Sequence, residues 1–339
     1  MHSSAGPTLS DVARRARVST ATVSRCLNLP HQVRPETRAR VEAAVAELGY
    51  TPHFGGRALA SNRTNTIGAV IPTMENAIFA RGLQALEDQL FARGVTLLVA
   101  TSHYDVVREE EQIRALLGRG VDGLVLIGEA RPMEVYTLLE RRGVPFVLAW
   151  IHRHDSPYRC AGFDNHGAAR AMTEHVLAHG HRRVAMIAGV TTWNDRASGR
   201  VAGVRAALAT RGLVLDPAYL VEAAYTLEAG AAAALRLVAL SPRPTAIVCG
   251  NDVLAAGAVC GLRNAGLSVP EDVSVVGFDD IDLAIAVTPA LTTVHVPHRR
   301  MGEAAARLLM QIRESGDPAT GVVFETEIIH RASLARPPE

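Results

Sequence analysis

Lysine is missing altogether: the 35 basic side chains of this 339-residue chain are all arginine. That bias carries no functional inference. Aromatic residues are scarce, at 4%, and no apolar run reaches the ~18 residues that a membrane-spanning helix needs. Residues 1–6 hold no basic cluster followed by an apolar core, so a secretory signal is not expected and the chain is read as cytoplasmic. Cysteine is limited to Cys26, Cys160, Cys249 and Cys260, without a CxxC pair and within apolar segments. Such residues are expected to be reduced, buried thiols and not a disulfide or zinc framework. No GxGxxG follows a predicted strand, and the phosphate-cradling pattern GxxxxGKS/T, the nucleophile elbow GxSxG and the zinc helix HExxH are absent. Their absence points away from enzymatic activity and from a bound cofactor.

What is present is the composition of a folded protein, 48% hydrophobic and 20% charged, at a length that suits two or three compact units. The net charge of +1 is unevenly spread. Residues 1–63 carry nine arginines against four acids, a net +5, which leaves −4 for the remainder. A basic module on a mildly acidic body suggests a polyanionic partner for the N-terminus alone.

Three short helices are predicted in that basic segment. Thr8 and Asp11 frame a capping box for a helix running to about Ala16. Ser19 is a favourable N-cap for a second helix to about Leu27. Pro35 and Glu36 open a third, which stops near Gly49. On the second helix, 100° spacing sets Val23 and Leu27 on one face and Ala21, Arg25 and Asn28 on the other, with Ser24 between. Two helices across a tight turn, backed by a third, form a helix-turn-helix, whose second helix enters a major groove. A three-helix bundle with no DNA role would carry the same caps. In the first reading Arg25 grips a guanine with two prongs, Thr20 or Ala21 meets a thymine methyl, and Ser19, Thr22 and Ser24 hold phosphates.

From Ile67 onward, apolar runs alternate with amphipathic stretches. Strands are predicted at 67–71, 95–100, 123–127, 146–150, 184–188, 246–249 and 273–276, with helices at 82–91, 108–117, 168–178, 200–209 and 229–240. The fold class is therefore α/β, with parallel sheets covered by helices, in two similar lobes broken near 153–158. Ligands in such folds sit off the C-terminal ends of the strands. His175 and His179 are four apart on a predicted helix, the spacing of a metal grip. With no third ligand evident, they are read as ordinary helix-end histidines, and no metal is expected. Asp279 and Asp280, neighbours in a strand extension, should point to opposite sides and form no shared-proton dyad.

The run Thr8-Leu9-Ser10-Asp11-Val12-Ala13, then Val18-Ser19-Thr20-Ala21-Thr22-Val23-Ser24-Arg25, Leu27-Asn28, Thr37-Arg38-Ala39-Arg40-Val41 and Leu48-Gly49-Tyr50 resembles the lactose-repressor (LacI/GalR) family of bacterial transcription regulators. Further matches span the body: Gly120-Val121-Asp122-Gly123, Asp164-Asn165, Gly180-His181-Arg182-Arg183 and 269–280. Arg17 departs from the family's turn glycine, and must tolerate a left-handed conformation or shift the turn. His53 and Gly56 depart from its usual asparagine and hinge alanine, and Ala149 from a usual polar residue.

The resemblance implies a helix-turn-helix domain at 1–52, a hinge at 53–65 and a periplasmic-binding-protein-like core at 66–339. In the core, lobe 1 would take about 66–158 and 291–318, and lobe 2 about 159–290 and 319–339. In this family the hinge folds on operator DNA and a leucine wedges into the minor groove; here that residue is Leu59, preceded by Arg57. The family's effector-cleft positions fall on Ile78, Phe79, Trp150, Phe163, Asn194, Arg196, Arg200, Tyr225, Asn251 and Asp279, although Phe79, Phe163, Trp150 and Tyr225 also suit plain core packing. Arg200 would offer a donor fork and Asp279 a two-oxygen acceptor. The expected protein is a homodimeric repressor on a palindromic double-stranded operator, not a tetramer, with a sugar or sugar phosphate as effector, or secondarily a nucleobase or carboxylated metabolite. The competing reading is a solute-binding module without sequence-specific DNA binding, which residues 1–60 disfavour.

Overall fold

The computed structural model describes residues 6–28, 30–51, 63–75, 77–315 and 320–338, with Asn28 described in its backbone only. It divides into two compact units, Met1–Thr64 and Asn65–Glu339. The hinge positions Gly56, Arg57 and Leu59 lie outside the described residues.

In the first unit, α1 (Leu9–Ala16) is closed by the expected capping box. Asp11 N–H donates to the Thr8 hydroxyl at 3.3 Å, and Thr8 N–H donates to the Asp11 carboxylate at 2.9 Å. The following Arg17 sits at φ 54°, ψ 49°, so the turn keeps its left-handed residue with an arginine in it, at a cost of about 1–2 kcal/mol relative to a position glycine would fill freely. Ser19 Oγ accepts the Thr22 N–H at 3.1 Å at the start of α2 (Thr20–Asn28). Pro35 opens α3 (Pro35–Leu48), which ends on a left-handed Gly49. Val12, Ala16, Val23, Cys26, Val41, Ala44 and Tyr50 are the buried centre of this small unit.

The second unit alternates strand and helix. Its first sheet contains β1 (Thr66–Ile71), β2 (Thr96–Thr101), β3 (Gly123–Ile127), β4 (Phe146–Ala149) and β5 (Cys160–Gly162). These are joined by α4 (Ala77–Phe91), α5 (Val106–Gly118) and α6 (Met133–Arg142). The chain then crosses to α7 (Asn165–Ala178), β6 (Val184–Gly189), α8 (Asp195–Ala209), β7 (Leu220–Ala223), α9 (Leu227–Val238), β8 (Ala246–Cys249), α10 (Asp252–Asn264), β9 (Ser274–Val276) and the short α11 (Leu283–Ala286). It returns through β10 (Thr293–His295) and α12 (His298–Ser315) to β11 (Val322–Val323) and β12 (Glu327–Ile329). The two main sheets run β11-β5-β4-β3-β1-β2 and β7-β6-β8-β9, every pairing parallel, while β10 and β12 form an antiparallel pair. β1, β3 and β6 are buried at every position, which explains their unbroken apolar runs: helices cover both faces of a parallel sheet. No helix among the described residues is long and apolar enough to cross a membrane.

Two lobes are present, but their limits differ from those expected. Cys160–Gly162, expected in the second lobe, pairs with β4 and extends the first sheet, and Val322–Val323 pairs in turn with it. A three-residue strand of small side chains shows no β-branched run in the sequence. The return to the first lobe begins at α12 and not at Leu291, which is buried in the second lobe's core. Cys260 is exposed, against the expectation of four buried thiols.

Helices α4 and α12 cross where Gly82 meets Gly302: a Cβ on Gly302 would lie 2.0 Å from the Gly82 carbonyl oxygen. Backbone cannot yield as a flexible side chain can. Gly302→Ala should therefore destabilise the second unit by about 1–3 kcal/mol, read as a lower midpoint in urea unfolding. An unchanged midpoint would mean that the two helices part without cost.

Candidate functional site

Eight non-glycine residues among those described have positive φ, and six of them follow strand ends at the mouth between the lobes: His103 and Tyr104 after β2, Trp150 after β4, Trp193 after β6, and Asp279 and Asp280 after β9. Strained backbone held in this way tends to gather at ligand sites. Here it surrounds a pocket lined by Ile78, Phe79, Tyr104, Trp150, Asn194, Arg196, Arg200, Tyr225, Asn251 and Asp279. A second chamber shares Tyr104 and Arg196 with it and is lined also by Ser102, Glu109 and Trp193.

The floor is a closed circuit of hydrogen bonds that crosses between the lobes. Trp150 Nε1–H donates to His298 Nδ1 at 3.0 Å, and His298 Nε2 lies 3.2 Å from the Asp279 carbonyl oxygen, to which it donates. Arg200 reaches Asp279 Oδ1 at 3.5 Å and Asn165 Oδ1 at 2.9 Å, while Asn165 Nδ2–H donates back to the Trp150 carbonyl at 3.1 Å. The guanidinium also donates to the Gly250 carbonyl and lies 3.8 Å from the centre of the Phe278 ring. Arg200 is thus spent on protein partners and is not the free donor fork that its residue type suggested. Removing it would strand a buried carboxylate, at a cost of about 3–5 kcal/mol.

Asp279 is 1% exposed, and its second oxygen, Oδ2, is buried with no hydrogen-bond partner. A buried acceptor left unmade costs about 1–3 kcal/mol, and more when charged. An arriving hydroxyl or N–H would relieve that cost. Asp279 sits where it does because Asp252 holds its loop, accepting from Ile281 N–H at 2.9 Å and from the Thr293 hydroxyl at 2.6 Å. Gly277 must lack a Cβ there, since one would lie 2.1 Å from Asp252 Oδ1. Burial pushes the Asp252 carboxyl up to about 8, with neighbouring Asp279 adding to the effect. Burial pushes His298 the other way, down to about 4, which keeps the imidazole neutral, while the Trp150 donor and the Asp279 carbonyl fix its tautomer.

Further polar contacts span the cleft. Asp195, in the first turn of α8, accepts from the backbone N–H groups of Glu129 and Ala130 in the opposite lobe. It also holds Arg196 Nη1 at 3.0 Å. Tyr104 and Tyr225 face each other with ring centres 5.6 Å apart. Asn194 and Asn251 serve as N-caps, each accepting from a backbone N–H in the first turn of its helix, so the positive ends of α8 and α10 border the cavity.

In the first unit, Ser19, Thr20, Ala21 and Arg25 are exposed along one side of α2, Thr22 and Ser24 are half-buried, and Val23 is fully buried behind them. The Ser19 and Thr22 hydroxyls lie 2.9 Å apart and pair with each other.

Residues 8–53 match the model of bacterial regulatory proteins of the lacI family, and residues 173–334 match a periplasmic binding protein-like domain. The HTH-type transcriptional repressor PurR of Erwinia tasmaniensis is 35% identical over 334 residues, 98% of either chain. The chain belongs to the lacI family. It is a ligand-responsive, DNA-binding regulator of transcription. Among solved structures, this lacI-family chain resembles a transcriptional regulator CelR–cellobiose complex (TM-score 0.72, 32% identity, 96% and 99% of the two chains covered). It also resembles the lac repressor dimer bound to operator and the anti-inducer ONPF (TM-score 0.84, 26% identity, 97% and 99% covered).

Nine of the ten effector positions expected from the sequence border this same pocket; Phe163 does not. It is fully buried and packs on Phe278 at 6.0 Å between ring centres, the core role its residue type equally allowed. Tyr104, Asn165 and His298 went unnamed as site residues. Nothing in a lone tyrosine or histidine marks it as facing a cleft, while Asn165 belonged to a family-like pair without a stated role. Asp279 and Asp280 do diverge, but through left-handed backbone at φ 102° and 54° and not along a strand. Asp280 turns to Arg331 at 2.7 Å and His295 at 2.9 Å.

The depressed His298 has a consequence for acid stability. Its folded value of about 4 lies below the ordinary 6.5, so its contribution is whole above pH 6.5 and is lost as pH falls toward 4. Arg200 and Arg81 oppose the added charge and Asp279 favours it. Melting temperature should fall across that window in the unmodified protein and fall less steeply in His298→Gln. Parallel pH profiles would show that the circuit does not depend on a neutral imidazole.

Proposed function

We propose that the cleft binds a polyhydroxylated ring, a sugar or sugar phosphate, and that this ligand sets the affinity of a homodimer for a palindromic operator. The observation that carries the reading is Asp279 Oδ2, a buried acceptor without a donor among flat aromatic walls. Adjacent sugar hydroxyls supply donors to such an oxygen, and a pyranose face stacks on rings such as Trp150, Phe79 and Tyr225. The cellobiose held by the CelR relative supports the class.

A ligand seated there touches Trp150 of one lobe and Asp279 of the other, and so bears on the angle between them. Differential binding worth about 1–3 kcal/mol would alter operator affinity 5- to 150-fold. On DNA, α2 enters the major groove with Arg25 on guanine, Thr20 and Ala21 on a thymine methyl, and Ser19, Thr22, Ser24 and Asn28 beside them. Arg57 and Leu59 act at the minor groove. The operator-bound dimer among the relatives supports this arrangement, and two-fold symmetry of the protein would match that of the site.

Two measurements test the two halves. Selection from sheared genomic DNA at roughly 0.15 M salt, where non-specific phosphate binding is weak, should enrich one palindrome. Arg25→Ala should cost about 1–3 kcal/mol on it and relax one base position. A panel of sugars, nucleobases and carboxylates should find a sugar that shifts tryptophan emission, with binding weakened about 10- to 100-fold in Asp279→Asn. A response confined to nucleobases or carboxylates would replace the ligand class, and a sugar bound equally by the variant would remove Asp279 from the site.

A further inference from the structure

His175 and His179 lacked a third partner in the sequence. The fold supplies one. His330, just beyond β12 and 151 positions after His179, lands on the last turn of α7, where one nitrogen of each imidazole lies within 4.8 Å of the others. His175 Nε2 and His330 Nδ1 face each other at 3.2 Å. Two imidazoles bound to one tetrahedral zinc at about 2.0–2.1 Å would hold their nitrogens ~3.3 Å apart, so this pair already has the spacing of neighbouring ligands.

The third ring is oriented in a way that favours the same use. His179 Nδ1 lies 2.8 Å from the His175 carbonyl oxygen. A carbonyl only accepts, so Nδ1 carries the proton and the neutral ring keeps its lone pair on Nε2. That bond matches the outer hydrogen bond that fixes the tautomer of metal-binding histidines. The rings form a compact group, with His175 4.7 Å from His179 and 5.4 Å from His330 between centres. His330 is exposed and the other two are half-buried, which leaves the group open for entry and for a water as fourth ligand. Among the described residues, no acid joins the cluster.

We propose that His175, His179 and His330 form a binding site for one late first-row divalent cation, with Zn²⁺ as the reference ion and Ni²⁺, Co²⁺ and Cu²⁺ as candidates of the same ligand preference. The site lies on the second lobe, apart from the cavity. It would tie the end of α7 to the returning strand, one residue before Arg331, whose guanidinium holds Asp280 at 2.7 Å. Closing the 4.8 Å triangle to tetrahedral spacing moves side-chain atoms by about 1.5 Å.

The test uses the full chain, purified without a histidine tag and stripped with chelator. Zn²⁺ is titrated in competition with a chromophoric zinc chelator, and Co²⁺ is followed by the visible absorption of its tetrahedral complexes. One equivalent per chain is expected, with affinity lowered at least about tenfold in His330→Ala and in His175→Ala. Zn²⁺ should raise the melting temperature of the unmodified chain but not of His330→Ala, whose metal-free melting should be unchanged because the side chain is exposed. His152→Ala, in a distant loop, serves as the control and should bind normally. No saturable binding up to roughly 100 µM, or a full equivalent retained at unchanged affinity in both cluster variants, would overturn the proposal. Should His175→Ala unfold the chain, the exposed His330→Ala decides the matter alone.

Discussion

The charge of Asp279, buried to 1% exposure at the meeting of two lobes, is the constraint from which the rest of the cleft follows. A lone carboxylate at that depth would be prohibitively costly. Arg200 answers one oxygen, and the demands of its guanidinium then draw in Asn165, the Gly250 carbonyl and the face of Phe278. Asn165 in turn grips the Trp150 backbone, and His298 closes the loop between the Trp150 indole and the Asp279 carbonyl. Among the side-chain atoms of this circuit, Asp279 Oδ2 is left unanswered. The open acceptor thus belongs to a residue that lines the cavity.

That circuit is shared between lobes, and this gives it mechanical meaning. Trp150 and His298 belong to the lobe of β1–β5 and α12, whereas Asn165, Arg200 and Asp279 belong to the other. The Asp195 carboxylate adds a second polar link, onto the backbone of residues 129 and 130. Packed interiors do not deform smoothly, so small changes at such a junction are expressed as movement of whole lobes. A ligand that engages Oδ2 alters the balance of the same carboxylate that anchors the junction.

The DNA-binding unit works by a more local physics. Its helices are set by caps that involve neighbours three or four residues apart, Thr8 with Asp11 and Ser19 with Thr22, and by a small apolar centre. Arg17 shows how firmly the turn is imposed: the surrounding helices hold an arginine in left-handed backbone where glycine would cost nothing. The exposure of Ala21 and Arg25 follows directly from the burial of Val23 between them.

Periodicity therefore determined a great deal on its own. The caps and helices of residues 8–49, the α/β alternation and the strands of continuous apolar residues are local or one-dimensional signals, and all were legible. So were most residues around the cavity, because the family resemblance places them at strand ends one after another. Tertiary structure decided what depends on distant segments meeting. Cys160–Gly162 is a strand only because Ala149 lies beside it, Arg200 is occupied only because Asn165 and Gly250 approach it, and Phe163 is core because Phe278 covers it. Likewise His330 joins His175 and His179 only once the chain has returned. Sequence spacing reports neighbours along a helix or strand; it holds no record of which charge is already paired, and pairing across the fold is what separates a free site residue from a structural one.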